Sequence, residues 1–246
     1  TFSRDVLAKR LRELAFLNRG IAVTIADDRT NETETFRFEG GIRAFVQHLN
    51  EAKKPLHPDV IYFEKSESSG MTIEIALQYN EGYNEAVFSF ANSINTHDGG
   101  THLSGFRNAL TRTLNQYSRA HEFVKGEGQL PTGEDYREGL TAIVNVKVPN
   151  PQFESQTKVK LTNTEVESFV TTVTNEQLGT YLEEHPAQAR TIVEKALIAS
   201  KAREEARKAR ERARLGALSG SNPGKLADCQ ERDMAKCENY LVQGDS

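Results

Sequence analysis

Three stretches of alternating apolar and polar residues, Val60 to Glu64, Met71 to Tyr79 and Ala86 to Asn92, follow one another across two short breaks. The breaks are Ser68-Ser69-Gly70 and Asn80-Glu81-Gly82, and turn residues of that kind between period-two runs predict three consecutive antiparallel strands. The period then changes. From Thr101 onward Leu103, Phe106, Leu110, Leu114 and Tyr117 recur at helical spacing. The polar, glycine-bearing stretch from Ala120 to Glu134 reads as a mobile loop, and Leu140 to Val148 reads as a fourth strand.

The flanks extend this pattern. Ser3 is placed to cap a helix whose inward face is Leu7, Leu11, Leu14 and Ala15, with Gly20 as its stop. Ile21, Val23 and Ile25 alternate as a strand, Asp27 to Asn31 make a turn, and Thr33 to Phe38 return as the hairpin partner. Gly40-Gly41 breaks the pattern and marks a domain boundary, after which Ile42, Phe45, Val46 and Leu49 predict a short amphipathic helix ending in Lys53 to Pro58. Beyond the fourth strand, Thr164 and Glu167 have the spacing of a capping box, and Val166, Phe169, Val170 and Val173 give that helix its buried side. Pro186 suits the first turn of a second helix running to about Leu215. Its first half is apolar at Ile192, Val193, Ala196, Leu197 and Ile198. In its second half, Lys201 to Arg214, alanine alternates with charge, seven Lys or Arg against three Glu. A helix buried at one end and polar all round at the other commonly bridges domains. Ser219 to Gly224 reads as a linker and Tyr240-Leu241-Val242 as a short apolar strand.

Composition restricts the functional classes. With 246 residues and 37% hydrophobic residues the chain can build a real core as one large or two small domains. No apolar run approaches the ~20 residues of a membrane span, and no secretory signal pattern opens the sequence, so the expected compartment is the cytoplasm and no membrane partner is expected. Cys229 and Cys237 are the only cysteines, too few for a disulfide framework and spaced unlike a zinc site, and both are read as reduced thiols. A net charge of −4 gives no global attraction to nucleic acid, so any such contact must come from local basic patches.

The candidate chemistry centres on Gln156-Thr157-Lys158, between the fourth strand and the helix that follows it. A lysine on such a loop can set its ammonium as a point charge on a phosphate, and a nearby glutamine can donate to the phosphate oxygens. Taken alone, residues of these types in a surface loop are far more often solvated and inert. His97 and His102 flank Asp98-Gly99-Gly100 without a third ligand, so no metal site is expected there.

The surroundings of the tripeptide carry a resemblance. LAKRLRELAFLNRG (Leu7 to Gly20), FEGGIRAFVQHLN (Phe38 to Asn50), GGTHLSGFRNALTRTLN (Gly99 to Asn115), GEDYREGL (Gly133 to Leu140), VKVPNPQFESQTKVKL (Val146 to Leu161), PGKLADCQERD and CENYLVQGDS occur in that order. Together they resemble the ATPase subunits of the bacterial type IIA topoisomerases, members of the GHKL ATPases, and most closely the DNA gyrase B family. The resemblance implies an α+β fold. Residues 1–41 would be the last part of a nucleotide-binding domain. Residues 42–214 would be a transducer domain with a four-stranded sheet, helices on one face, a left-handed βαβ crossover and a long C-terminal helix. Residues 215–246 would be a linker and the first strand of a TOPRIM domain.

The function implied is coupling of ATP hydrolysis to DNA strand passage and supercoiling, with Lys158 on the γ-phosphate and Gln156 and Thr157 beside it. ATP and Mg²⁺ would act in the parent protein, an ATP-dependent topoisomerase, the fragment alone being inactive. Implied partners are double-stranded DNA, the DNA-cleaving gyrase A-type subunit, and a second copy of the parent subunit on ATP binding. Arg107 matches a basic residue lining the DNA cavity, and Arg112 is a weaker candidate for the same role; an ordinary exposed helix arginine is the alternative for each. The basic stretch Lys201 to Arg214 fits a DNA contact and a solvated linker helix equally well. Gln243 stands where the family's TOPRIM domains carry a glutamate that helps hold Mg²⁺, and an amide brings neither negative charge nor a general base. Two other identities are compatible: a transducer-like domain of a mismatch-repair or chaperone GHKL ATPase, and a topoisomerase IV counterpart.

Overall fold

The computed structural model describes residues 3–124 and 130–219, with side chains to Arg214. Cys229, Cys237, the strand expected at Tyr240 to Val242 and Gln243 lie outside the described residues. The chain forms two compact units, Thr1–Ser200 and Lys201–Ser246.

In the first unit, helix α1 (Arg4–Leu17) leads into a two-stranded antiparallel sheet, β1 (Ala22–Asp27) with β2 (Glu32–Arg37), and then helix α2 (Gly41–Asn50). The buried face of α1 differs from the expected one. Ala8, Ala15, Phe16 and Leu17 are inside, whereas Leu7 is 43% exposed, and Ser3 makes no side-chain cap. Aromatic packing sets this face: the Phe16 ring stacks on Phe38 at 3.6 Å and on Phe45 at 4.7 Å, which turns the C-terminal end of the helix inward.

The main sheet takes β3 (Ile61–Ser66), β4 (Thr72–Tyr79), β5 (Ala86–Ala91), β6 (Ile94–Asn95) and β7 (Leu140–Lys147) in the order β3-β4-β7-β5-β6. Four strands are long, and a fifth of two residues joins them, so the sheet has five strands where four were expected. Asn92 and Ser93, at φ 50 and 64, turn the chain back tightly enough for β6 to pair with β5, an event too short to leave a periodic signal. The expected run of three antiparallel strands also breaks. Only β3 and β4 pair in that way; β7 lies antiparallel to β4, from Thr72↔Lys147 to Tyr79↔Leu140, and parallel to β5, from Ala86↔Thr141 to Ala91↔Val146. The reason is burial: every residue of β7 except Lys147 is buried, and such a strand fits only the middle of a sheet covered on both sides.

Both faces are indeed covered, in contrast to the helices on one face implied by the resemblance. Ile73, Ile75 and Leu77 of β4 with Ala142, Val144 and Val146 of β7 face α3 (Thr101–Ala120), α5 (Thr164–Glu184) and the first part of α6 (Pro186–Ser219). The intervening residues Ala76 and Ile143, with Phe90 of β5, meet Phe16, Ile42, Phe45 and Val46 of α1 and α2. Helix α3 lies between β5 and its parallel neighbour β7 in sequence, which makes a βαβ crossover. Helices α3 and α5 touch closely at Gly105, where a Cβ would come within 2.7 Å of the Glu167 carbonyl oxygen.

Two expected loop features also change. A short helix, α4 (Gly133–Arg137), starts inside the expected Ala120 to Glu134 loop, because the Asp135 carboxylate accepts from the Thr132 backbone N–H at 2.7 Å. The N-cap of α5 is Asn163, one residue before the expected Thr164; there is no Thr164–Glu167 capping box, because Asn163 already begins the turn and spends its side chain on the preceding loop.

The N-terminus of α3 is held from two sides. Gly100, at φ +136, runs so close to the chain around Leu161 that a Cβ would stand 2.4 Å from the Leu161 oxygen and 2.6 Å from its nitrogen. In the first turn of the helix, His102 is fully buried with Nε2 3.0 Å from Thr96 Oγ1. The Thr96 hydroxyl donates to the Ser89 carbonyl at 2.9 Å, so Nε2–H of His102 is the donor and Nδ1, which has no partner, carries no proton. Burial accordingly pushes the His102 pKa down to about 4.

Two outcomes follow. Gly100→Ala combines backbone strain with a steric clash against main chain and should destabilise the chain by on the order of 3 kcal/mol in urea denaturation; an unchanged midpoint would contradict the close approach. For His102, the folded pKa lies below the unfolded one, so the unfolded state binds the proton first, and stability is full above about pH 6.5 and is lost as pH falls toward 4. His102→Gln should flatten the loss of stability between pH 7 and 5, measured by denaturation at each pH; an identical slope in the variant would contradict the assignment.

Candidate functional site

The loop from Pro149 to Asn163 is built at its base by side chains that imitate strand pairing. As β7 ends, Asn92 Oδ1 accepts from the Val148 N–H at 2.8 Å and Asn92 Nδ2 donates to the Val148 carbonyl at 2.9 Å. Across the loop, Asn163 accepts from the Gln152 N–H at 2.7 Å and donates to the Asn150 carbonyl at 3.1 Å, while Thr162 N–H donates to the Gln152 carbonyl at 2.9 Å. Asn163 also donates to Glu165 at 2.6 Å, which lowers the Glu165 carboxyl pKa.

Above this base the chain forms a small hairpin. Phe153 bridges Leu161, Glu154 N–H donates to the Lys160 carbonyl at 3.0 Å, and the turn closes with Lys158 N–H on the Ser155 carbonyl at 3.0 Å. Lys158 takes a positive φ of 56, uncommon for a residue with a side chain. Ser155 and Thr157 share a hydroxyl hydrogen bond of 2.6 Å across the turn. Gln156, Thr157 and Lys158 are all exposed at the tip. Lys160 pairs with Glu154 at 3.1 Å, but the Lys158 ammonium has no ion pair or hydrogen bond among the described residues. It is an unneutralised point charge on a braced turn, which can engage an anion without first giving up a carboxylate.

This hairpin is fastened to α3. Asp98 N–H donates to the Val159 carbonyl at 3.1 Å, Leu161 N–H to the Gly99 carbonyl at 3.2 Å, and Thr101 N–H to the Leu161 carbonyl at 3.0 Å. The Gly99-Gly100 pair thus exists for the loop: it lets main chain lie on main chain. His102 anchors the same turn from beneath. The two flanking histidines do not converge, since Nε2 of His102 is engaged by Thr96 while His97 is exposed, 3.8 Å from Asp98. No group of three or more His, Cys, Asp or Glu suited to a metal occurs among the described residues.

Two turns along α3, Arg107 donates to Glu85 Oε1 from Nη2 at 2.5 Å and from Nε at 3.1 Å, and Arg137 of α4 donates to Glu85 Oε2 at 3.0 Å. Two guanidiniums therefore share one carboxylate and leave a local surplus of one positive charge. The sequence reading missed Glu85 and Arg137, whose partners are 22 and 52 residues away in the chain. Arg107 also lines a cleft of about 360 Å³ with His97, Asp98 and Gly99, so it borders the turn that carries the hairpin. Arg112 is exposed with no ion pair among the described residues, and five residues on it faces about 140° away from Arg107. The structure does not bring the two together. A larger cleft of about 490 Å³ lies apart from the hairpin, lined by Arg4, Arg12, Phe16, Phe45, His48 and Phe88; its arginines are already paired with Glu32 and Glu34.

Known proteins resemble this chain in sequence and fold. A DNA gyrase B family model matches residues 41–212. Among curated relatives, the DNA gyrase B protein of Clostridium acetobutylicum is 51% identical over all of this chain, which covers 39% of that protein. The DNA gyrase B protein of Myxococcus xanthus is 52% identical over all of this chain and 30% of its own length. Among solved structures, the 43K ATPase domain of Thermus thermophilus gyrase B, in complex with an aminocoumarin, aligns with a TM-score of 0.75 at 40% identity, over 85% of this chain and 56% of that one. The chain thus spans two fifths or less of the two curated relatives, and it belongs to the DNA gyrase B family.

Proposed function

We propose that this chain is the transducing part of a gyrase B-type subunit: it senses the terminal phosphate of bound ATP through Lys158 and passes the signal to a DNA-facing helix. The observation that carries this reading is the unpaired Lys158 ammonium at the tip of a hairpin fastened by backbone hydrogen bonds to α3, the helix that holds Arg107. Gln156 and Thr157 stand beside Lys158 at the tip and complete the phosphate contact. A cation there stabilises charge that develops on the transferred phosphoryl group. Because the contact exists only while that phosphate is present, it biases the position of the transducer, as a ligand must to shift a two-state equilibrium.

Residues 1–41 then close a nucleotide-binding domain, 42–214 form the transducer with its crossover left-handed, and 215–246 lead into a TOPRIM domain, where Gln243 would weaken Mg²⁺ binding. The general base and the magnesium ligands for ATP belong to the part of the relatives' length that this chain does not span. The parent protein would be an ATP-dependent topoisomerase in the cytoplasm, working on double-stranded DNA with a gyrase A-type subunit and pairing with its own copy when ATP binds. Arg107, balanced by Glu85, would meet phosphates of the passing duplex, and Arg112 would add a weaker contact. Such contacts carry no sequence information.

In the polypeptide extended upstream through its nucleotide-binding domain, Lys158→Ala should cut ATP turnover by two or more orders of magnitude while nucleotide still binds, a loss of roughly 3 kcal/mol of transition-state stabilisation. Lys158→Arg should recover part of it. Unchanged turnover in the alanine variant would make the hairpin ordinary surface. For DNA, Glu85→Gln should strengthen duplex binding by releasing two guanidiniums, and Arg107→Gln should weaken it and lower the salt slope by about 1. Opposite signs in fluorescence anisotropy titrations would contradict the pairing as a control on DNA contact.

A further inference from the structure

The carboxylate of Glu85 stands at the end of a segment with little to hold it. Residues 81–85, which join β4 to β5, form no regular element, and neither Tyr83 nor Asn84 makes a hydrogen bond among the described residues. Tyr83 is 81% exposed, so its ring does not fix the segment by burial. Yet Glu85 accepts from Arg107 at 2.5 and 3.1 Å and from Arg137 at 3.0 Å, a geometry that needs the carboxylate in one place. Gly82 is where the segment is gripped. Its N–H donates to Oδ1 of the buried Asn80 at 2.9 Å, and its carbonyl accepts from Lys195 Nζ at 2.8 Å. The same ammonium lies 5.7 Å from the centre of the Tyr83 ring, within cation–π reach. Lys195 comes from α6, beside Ile192, Val193 and Ala196, all buried, so its stem leaves from a packed helix. Gly139, at φ +70, makes the room: a Cβ there would stand 2.5 Å from the Gly82 oxygen and 2.8 Å from Lys195 Cε.

We propose that Lys195 is a positioning residue for Arg107: by holding Gly82 to α6 it keeps Glu85 where both guanidiniums reach it, and so sets how much of the Arg107 charge is open to a phosphate. The inference rests on the reading of Arg107 as a DNA contact and adds a control on it from another element. The Lys195 ammonium is engaged by a carbonyl and a ring of the segment it holds, which suits a latch better than a phosphate contact of its own. A charged donor on a carbonyl makes a stronger hydrogen bond than a neutral one. Without it, the residues after Gly82 are free to swing and Glu85 spends part of its time away from α3. Arg107, fixed by its helix, then carries unneutralised charge. The expected sign is therefore opposite to the usual effect of removing a cation: DNA binding tightens.

The test uses the whole chain. With isotopically labelled arginine, the rate at which the Arg107 Nε–H exchanges with water, measured by NMR, reports its hold on Glu85; the signal is identified by its loss in Arg107→Gln. Lys195→Met, which keeps the stem and removes the donor, should raise that rate about fivefold, and Lys195→Arg, which restores a donor, should return it to within about twofold of the unmodified chain. Circular dichroism checks that α6 is kept in both. An unchanged rate in Lys195→Met would overturn the proposal, as would a rise that Lys195→Arg does not reverse. Fluorescence anisotropy with a short duplex of arbitrary sequence at physiological salt reads the consequence. Lys195→Met should bind about threefold tighter despite its lost charge, and the gain should vanish when Arg107 is already Gln, as two residues acting through one contact require. Weaker binding by Lys195→Met in both backgrounds would make Lys195 a phosphate contact in its own right and overturn the proposal. Unchanged affinity in Lys195→Met, where Arg107→Gln does weaken binding, would also overturn it. If the exchange rate responds as expected but Arg107→Gln leaves affinity unchanged, Lys195 still positions Glu85 and the reading of Arg107 as a DNA contact fails.

Discussion

Everything that makes the hairpin at Lys158 more than a surface loop depends on one close approach, main chain on main chain, between Gly100 and Leu161. A side chain at position 100 would occupy the space of the Leu161 backbone, so only glycine allows the three hydrogen bonds among Asp98, Gly99, Thr101, Val159 and Leu161 to form together. Those bonds turn a fifteen-residue connection into an extension of α3. The buried imidazole of His102, hydrogen-bonded to Thr96 and through it to Ser89 on β5, fixes the same turn to the sheet. A force applied at the hairpin tip therefore meets a continuous set of backbone contacts leading to a helix and to the central strands.

Much of this was legible in the sequence because it is written in local period and turn chemistry. The longer strands and helices, the hairpin of β1 and β2, and the location of the Gln156-Thr157-Lys158 loop between β7 and α5 follow from alternation, helical spacing, glycine and proline, whereas the two-residue β6 and the five-residue α4 do not. The order of strands was not legible, because β7 is chosen as the central strand by packing on both faces, and a fully buried run looks alike wherever it pairs. The same limit hid α1's true face, where stacking of Phe16 on Phe38 and Phe45 overrides the spacing of the leucines. Within the site, the residue types at positions 156 to 158 were readable and their bracing was not. Asn163, Asn92 and the Gly99-Gly100 turn act through contacts that cross the fold, and Glu85 finds its arginines on two other elements.

The charge economy of the chain is local. At a net −4 it has no general pull on a polyanion, and its cations act by where they stand and by what neutralises them. Lys158 is left unpaired at a tip, and Arg107 shares the Glu85 carboxylate with Arg137.

The central claim is that the hairpin and α3 move as one body. It is tested most directly by spin labels at Glu154→Cys and Asn108→Cys in the upstream-extended polypeptide, with Cys229 and Cys237 replaced by serine, and the label separation measured by double electron–electron resonance. A single rigid body predicts one narrow distance that stays within about 2 Å when a non-hydrolysable ATP analogue is added. A separation that broadens, or shifts by more than that on nucleotide binding, would mean that the hairpin moves independently of α3, and a phosphate contact at Lys158 would then have no rigid path to the helix.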